Sequence, residues 1–122
     1  MSSTFRALKP YAVFNAVTID STKYSDSTDT TGLLNLEYDV VWSGGSSLNG
    51  AITIEALLAK PDDNPANWVW QTLDLGSTIS LSGASGSHTI VFTVVPMTLV
   101  RLKYTSTAGT ATLTAVVKGK GW

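Results

Sequence analysis

Residues 87–95 (SHTIVFTVV), 97–105 (MTLVRLKYT) and 109–118 (GTATLTAVVK) decide the fold. Each stretch alternates in polarity or is rich in β-branched residues, and each is bounded by Pro, Gly or Ser. In the middle stretch Leu99, Arg101 and Lys103 point one way and Val100, Leu102 and Tyr104 the other, because side chains alternate across a strand. The expectation is three consecutive antiparallel strands. Residues 105–110 (TSTAGT) then form a hairpin loop, with Gly109 supplying a positive φ.

Working outward, residues 33–42 (LLNLEYDVVW) repeat the pattern, with Leu34, Leu36, Tyr38, Val40 and Trp42 inward and Asn35, Glu37 and Asp39 facing water. Residues 43–50 (SGGSSLNG) have the composition of a long turn. Residues 51–60 follow as a strand with Ile52, Ile54, Ala56 and Leu58 inward, and 61–67 (PDDNPAN) as a rigid loop. Residues 68–75 and 78–81 read as short strands, and 82–87 (SGASGS) as a turn. Residues 11–19 (YAVFNAVTI) are a strand apolar on both faces, and 21–31 (STKYSDSTDTT) a polar loop or weak edge strand. No segment holds a helical period. The chain is therefore expected to be all-β: an N-terminal arm over residues 1–10 and one antiparallel β-sandwich domain, jelly-roll-like, over residues 11–122. The expected core comprises Leu34, Leu36, Tyr38, Val40, Ile52, Ile54, Ile90, Phe92, Val100, Leu102, Tyr104, Leu113 and Ala115.

Composition fits this reading. The chain has 122 residues, enough for one domain with its own core. It is 43% hydrophobic and only 14% charged, the reverse of a disordered chain. Its net charge of −1 gives no electrostatic footprint for nucleic acid or anionic membrane. Cysteine is absent, which removes disulfides and thiolate metal sites. The N-terminal stretch has no unbroken apolar core of the signal-peptide kind, and no run reaches the length of a membrane span. The expectation is a product made in the cytoplasm.

Catalytic groups are sparse. The one histidine, His88, starts a strand in phase with Ile90, Phe92 and Val94, which reads as a half-buried sheet-end residue rather than a base. No G-x-S-x-G elbow is present. Glu37, Asp39, Glu55 and Asp74 are the carboxylates a glycosidase pair would draw on, but Glu37 and Asp39 share a strand face as solvated rungs do. Asp26 and Asp29 with Thr30 and Gly32, or Asp62, Asp63 and Asn64, could offer oxygens to calcium. Asp and Asn are equally the residues of turns, and neither run fits the EF-hand pattern. No cofactor and no transition metal are expected.

Four tryptophans are many for so short a chain. Trp42 and one of Trp68 and Trp70 suit the core; alternatively Trp68 and Trp70 form a platform on which a sugar ring stacks. Apolar residues also fall on faces that alternation assigns to solvent. Phe14, Leu33, Leu57 and Val91, together with the terminal Trp122, are the candidate interface residues.

One resemblance adds to this. The segments Trp42-Ser43-Gly44, Gly50-Ala51-Ile52-Thr53-Ile54-Glu55, Trp70-Gln71-Thr72-Leu73, and Val100-Arg101-Leu102-Lys103-Tyr104-Thr105 followed by Gly109-Thr110-Ala111-Thr112-Leu113 resemble those of small tailed-bacteriophage virion proteins. Such proteins share a W-[ST]-G turn, a G-x-[IL]-x-[IV] strand, a W-x-x-L strand and a final hairpin with a Lys-Gly tail, here residues 118–121. The likeness spans about residues 33–121 and departs at 57–61 (LLAKP). It implies a virion structural protein, a capsid decoration or a tail or fibre component, without catalytic residues. The apolar residues on nominally exposed faces and the two-sided first strand imply a homo-oligomer, for which the resemblance slightly prefers a trimer, and the resemblance adds contacts to other virion proteins. The rival expectation is a carbohydrate-binding or lectin-like domain for host attachment.

Overall fold

The computed structural model describes residues 7–57, 64–73, 79–94 and 98–120. Two strands organise it. We label the strands β1 (Ala7–Thr18), β2 (Lys23–Tyr24), β3 (Thr28–Asp29), β4 (Asn35–Leu57), β5 (Gln71–Thr72), β6 (Ile79–Ser82), β7 (Gly86–Thr93) and β8 (Leu99–Lys120). A single 3-10 turn, Pro65–Asn67, precedes β5. The all-β, antiparallel expectation holds, and all eight strands belong to one hydrogen-bonded sheet.

β4 and β8 run 23 and 22 residues and pair with each other from end to end. A straight strand of that length would span roughly 75 Å, whereas a compact chain of this size has a radius of gyration of about 14 Å. The ladder must therefore bend, and it does so where Gly and Ser allow it. The register slips between Ser43 and Ser46, between Ser46 and Asn49, and between Asn49 and Gly50. Gly44 (φ 64), Ser47 (φ 53) and Gly109 (φ 75) take left-handed conformations there. A Cβ at Gly109 would collide with the carbonyl oxygens of Ser46 and Ser47. Residues 43–50 and 105–110, expected to be turns, are thus bulged bends inside continuous strands. Positive φ serves a bulge as well as a hairpin, so composition alone does not separate the two.

The bends divide the sheet into two limbs. The first limb has the order β1, residues 112–120 of β8, residues 35–43 of β4, then β7. The second has β2 and β3 beside residues 99–106 of β8, then residues 49–57 of β4 with β6 and β5 on its far side. β4 buries its even-numbered residues along both limbs. In β8 the buried set changes from Val100, Leu102 and Tyr104 to Ala111, Leu113, Ala115 and Val117, so one sheet face stays inward across the bulge.

One core takes side chains from both limbs. The Tyr11 hydroxyl of β1 lies 3.0 Å from Thr28 Oγ1 of β3, and the Asp26 amide donates to the Val13 carbonyl at 3.2 Å. These contacts close the first limb on the second. Trp42 fills the core as expected, and its Nε1 donates to the Ser82 carbonyl at 3.1 Å. Most of the expected core is buried; Leu34 and Ile90 are half-buried. Tyr38 and Tyr104 are buried, and burial pushes both hydroxyls above the usual tyrosine range. The Tyr104 ring sits against Gly50, where a Cβ would overlap it.

Several sequence expectations are corrected. Residues 7–10, assigned to the arm, belong to β1, where Ala7 faces Lys120 and Leu8 faces Gly119; residues 1–6 lie outside the described part. Pro10 is tolerated because β1 is an edge strand and its register slips between Leu8 and Tyr11. Phe14 is not outward: it is 3% exposed. Slips on either side of Phe14, with Ala16 at φ 49, let the neighbours Val13 and Phe14 both turn inward. That bulge resolves the two-sided look of this strand. Leu33 and Leu57, at 3% and 2%, are likewise buried within the chain. Residues 68–75 give only the two-residue β5 among the described positions.

Candidate interaction surfaces

The outer face of the second limb carries a cluster of charged and aromatic side chains. Glu55 of β4 lies opposite Arg101 of β8 in the ladder, and alternation sends both outward. Arg101 Nε and Nη2 each reach Glu55 Oε1 at 2.8 Å. The guanidinium carbon stands 4.3 Å from the centre of the Tyr24 ring and 4.1 Å from that of Trp70. Lys103 Nζ approaches the same Tyr24 ring at 5.8 Å. Arg101 is thus stacked by rings from β2 and from the segment before β5, a geometry that a planar, weakly hydrated guanidinium suits and an ammonium does not. Glu55 is left only 8% exposed.

Local structure delivers those rings. Asn64 caps the 3-10 turn through Oδ1, accepting from the Ala66 amide at 3.1 Å. The turn then feeds Trp68–Trp70 toward β5, whose Thr72 pairs with Glu55. On the other side Ser25 completes the ladder after β2. Its amide donates to the Leu102 carbonyl at 2.9 Å, and its Oγ accepts from the Leu102 amide at 2.8 Å. The cluster therefore clamps two irregular segments onto the sheet.

Trp68 and Trp70 are both half-buried, and Arg101 covers one face of the Trp70 ring. Trp70 was singled out by sequence; its partner Arg101, thirty-odd residues away, carried no local signal.

The first limb presents a different outer face. Lys118 Nζ reaches Glu37 Oε2 at 2.8 Å and Asp39 Oδ2 at 3.7 Å. Its hydrogen bond to Glu37, then the charges of Glu37 and Asp39, raise the Lys118 pKa above the ordinary lysine value. Thr89 Oγ1 donates to Asp39 Oδ1 at 2.9 Å. Glu37 and Asp39 are thus solvated rungs sharing one lysine, as their shared face suggested. Val91 of β7 is 61% exposed and Val41 of β4 is 50% exposed. A depression of about 350 Å³ at the end of this limb is lined by Leu8, Pro10, Glu37, Val91, Lys118 and Lys120 among others.

Of the five candidate interface residues, Val91 is exposed, Phe14, Leu33 and Leu57 are internal, and Trp122 lies outside the described residues. His88 is exposed rather than half-buried. In the Asp26–Gly32 stretch, Asp29 Oδ1 accepts from the Thr31 amide at 2.9 Å, the Leu33 amide donates to the Thr30 carbonyl at 3.0 Å, and Gly32 takes φ 79. That is turn chemistry. Asp62, Asp63 and Asp74 lie outside the described residues. Among the described residues no three His, Cys, Asp or Glu side chains gather as a metal site would require.

No protein-family model matches the sequence, and no curated protein matches it. The fold is similar to that in the crystal structure of the SPBc2 prophage-derived protein YomS. That comparison has a TM-score of 0.55 and 15% identity, and covers 93% of this chain and 94% of that one. At that identity the likeness is one of fold.

Proposed function

We propose that this chain is a non-enzymatic structural protein of a bacteriophage virion, working as a homo-oligomer on the capsid or tail. The observation that carries the reading is the end-to-end likeness of fold to a prophage-derived protein, with over nine-tenths of each chain covered. The motif resemblance to small virion proteins, carried by segments of β4, β5 and β8, supports it independently. The outer faces fit the same reading. One is sealed by a stacked Arg101–Glu55 pair, and the other leaves Val41 and Val91 uncovered beside a neutral edge strand. Sugar binding through Trp68 and Trp70 has less support, because Arg101 occupies a Trp70 ring face that a sugar would need.

The test is mass spectrometry on particles produced by the genome that carries this gene. The reading expects the chain in gradient-purified virions at many copies per particle, retained through a salt wash. Its absence from intact particles, while it is abundant in the lysate, would overturn the assignment.

A further inference from the structure

We propose that the free edge of β7 pairs, antiparallel and across a two-fold axis, with β7 of a second copy of this chain. The inference rests on the homo-oligomer reading above and names its interface.

The argument begins with how the sheet treats its edges. An edge strand exposes unpaired amides and carbonyls, and proteins blunt it with proline, bulges, charge or brevity. β1 has Pro10, Lys9 and three register slips. β2, β3 and β5 are two residues each, and β6 is four. β7 has none of these devices. It runs eight residues in unbroken register against β4, from Thr93 opposite Asn35 to Gly86 opposite Trp42. Its sequence, GSHTIVFT, contains no proline, lysine, arginine, aspartate or glutamate. Among the described residues no other strand pairs with its outer side.

The chemistry of that edge selects its occupant. Main-chain groups in a row recognise another extended strand. A two-fold operation places the same strand there in antiparallel sense and brings each residue pair together twice. Self-pairing often fails through like charges set opposite each other. β7 has no permanent charge to oppose, and the nearest carboxylates, Glu37 and Asp39, lie one strand in and are already engaged by Lys118 and Thr89. Ser87, Thr89, Val91 and Thr93 all stand exposed on β7, so β-branched or small side chains would line the joint. The pairing would join two first limbs into one continuous sheet and cover Val91. A two-fold contact builds dimers or even-numbered assemblies; the trimer favoured by virion analogy would need a different joint.

Two measurements on the full chain decide this. In sedimentation velocity over a dilution series, the wild type should move from monomer to dimer as concentration rises. S87K/V91K, which adds charge only at exposed positions, should stay monomeric at the same concentrations with the wild-type melting temperature. Because the chain has no cysteine, single substitutions S87C, T89C, V91C and T93C can map the joint by oxidation. Disulfide dimer should peak at one position, next to the axis, and fall away on either side. A wild-type oligomer that survives S87K/V91K and cross-links at none of these sites would overturn the β7 joint and leave the homo-oligomer reading standing. A wild type that stays monomeric throughout would overturn both.

Discussion

On the second limb, Arg101 is gripped by Glu55 and stacked between Tyr24 and Trp70, and the limb's edge strands are two to four residues long. On the first limb, Lys118 meets Glu37 and Asp39 in solvent, Val41 and Val91 stand uncovered, and β7 offers eight regular residues with a free edge. The same two strands, β4 and β8, supply the middle of both limbs. The difference therefore lies in what is laid over each end. Irregular segments close the second limb and make it structural. The first limb keeps an outer face and an edge that no other described strand covers. Charges of the same kind thus have different consequences: buried beside rings they hold the fold, and in water they contribute little.

That contrast can be broken most severely at Arg101. Arg101→Ala leaves Glu55 almost buried and unpaired, and should cost about 3 kcal/mol, read as a fall in denaturation midpoint. Replacing both partners, as in E55Q/R101M, should recover much of the loss. If the single and double variants unfold alike, the loss comes from the missing Arg101 packing and not from an unpaired Glu55.

Next in size is the close approach of Gly50 to Tyr104. Gly50→Ala drives a Cβ into the buried ring, and overpacking of this kind costs about 2 kcal/mol. Thermal melts of G50A and of the exposed control S43A would separate this from a general effect of the bend.

The buried tyrosines give a pH signature. Both hydroxyls are held above the usual tyrosine value by burial, so the folded chain keeps protons that the unfolded chain releases above about pH 10. Stability should be flat below that pH and fall as pH rises beyond it. Tyr38→Phe and Tyr104→Phe should each flatten the decline. Urea titrations at pH 8 and pH 11 test this.

The smallest effect is expected on the first limb. Lys118→Ala should shift the melting temperature too little to resolve, and any shift should vanish in high salt, because its carboxylate partners face water. A loss comparable to that of Arg101→Ala would erase the distinction between the limbs.

Much of the architecture was legible from alternation. Leu36, Tyr38, Val40, Trp42, Ile52, Ile54, Val100, Leu102 and Tyr104 read inward and are inward, because a two-residue period survives in any half-buried strand. Of the turn read over residues 82–87, residues 83–85 link β6 to β7, with Gly83 at φ 80, while Ser82, Gly86 and Ser87 belong to the strands. What misled was left-handed backbone inside strands. Gly44, Ser47 and Gly109 look like turn residues and act as bulges, and Ala16, which has no such signature, turns Phe14 inward. The surfaces were less legible than the core. Val91 was visible as an apolar residue out of phase. The grip of Trp70 and Tyr24 on Arg101 depends on where irregular segments land, and no local pattern encodes that.

The contrast between a sealed limb and an open one is tested most directly by amide hydrogen exchange, resolved residue by residue, on the full chain at low and high protein concentration. Rising concentration should slow exchange at alternate amides of Gly86–Thr93, those facing away from β4, and leave the amides around Glu55, Arg101 and Thr72 unchanged. Exchange in β7 that is independent of concentration, or new protection confined to the second limb, would contradict it.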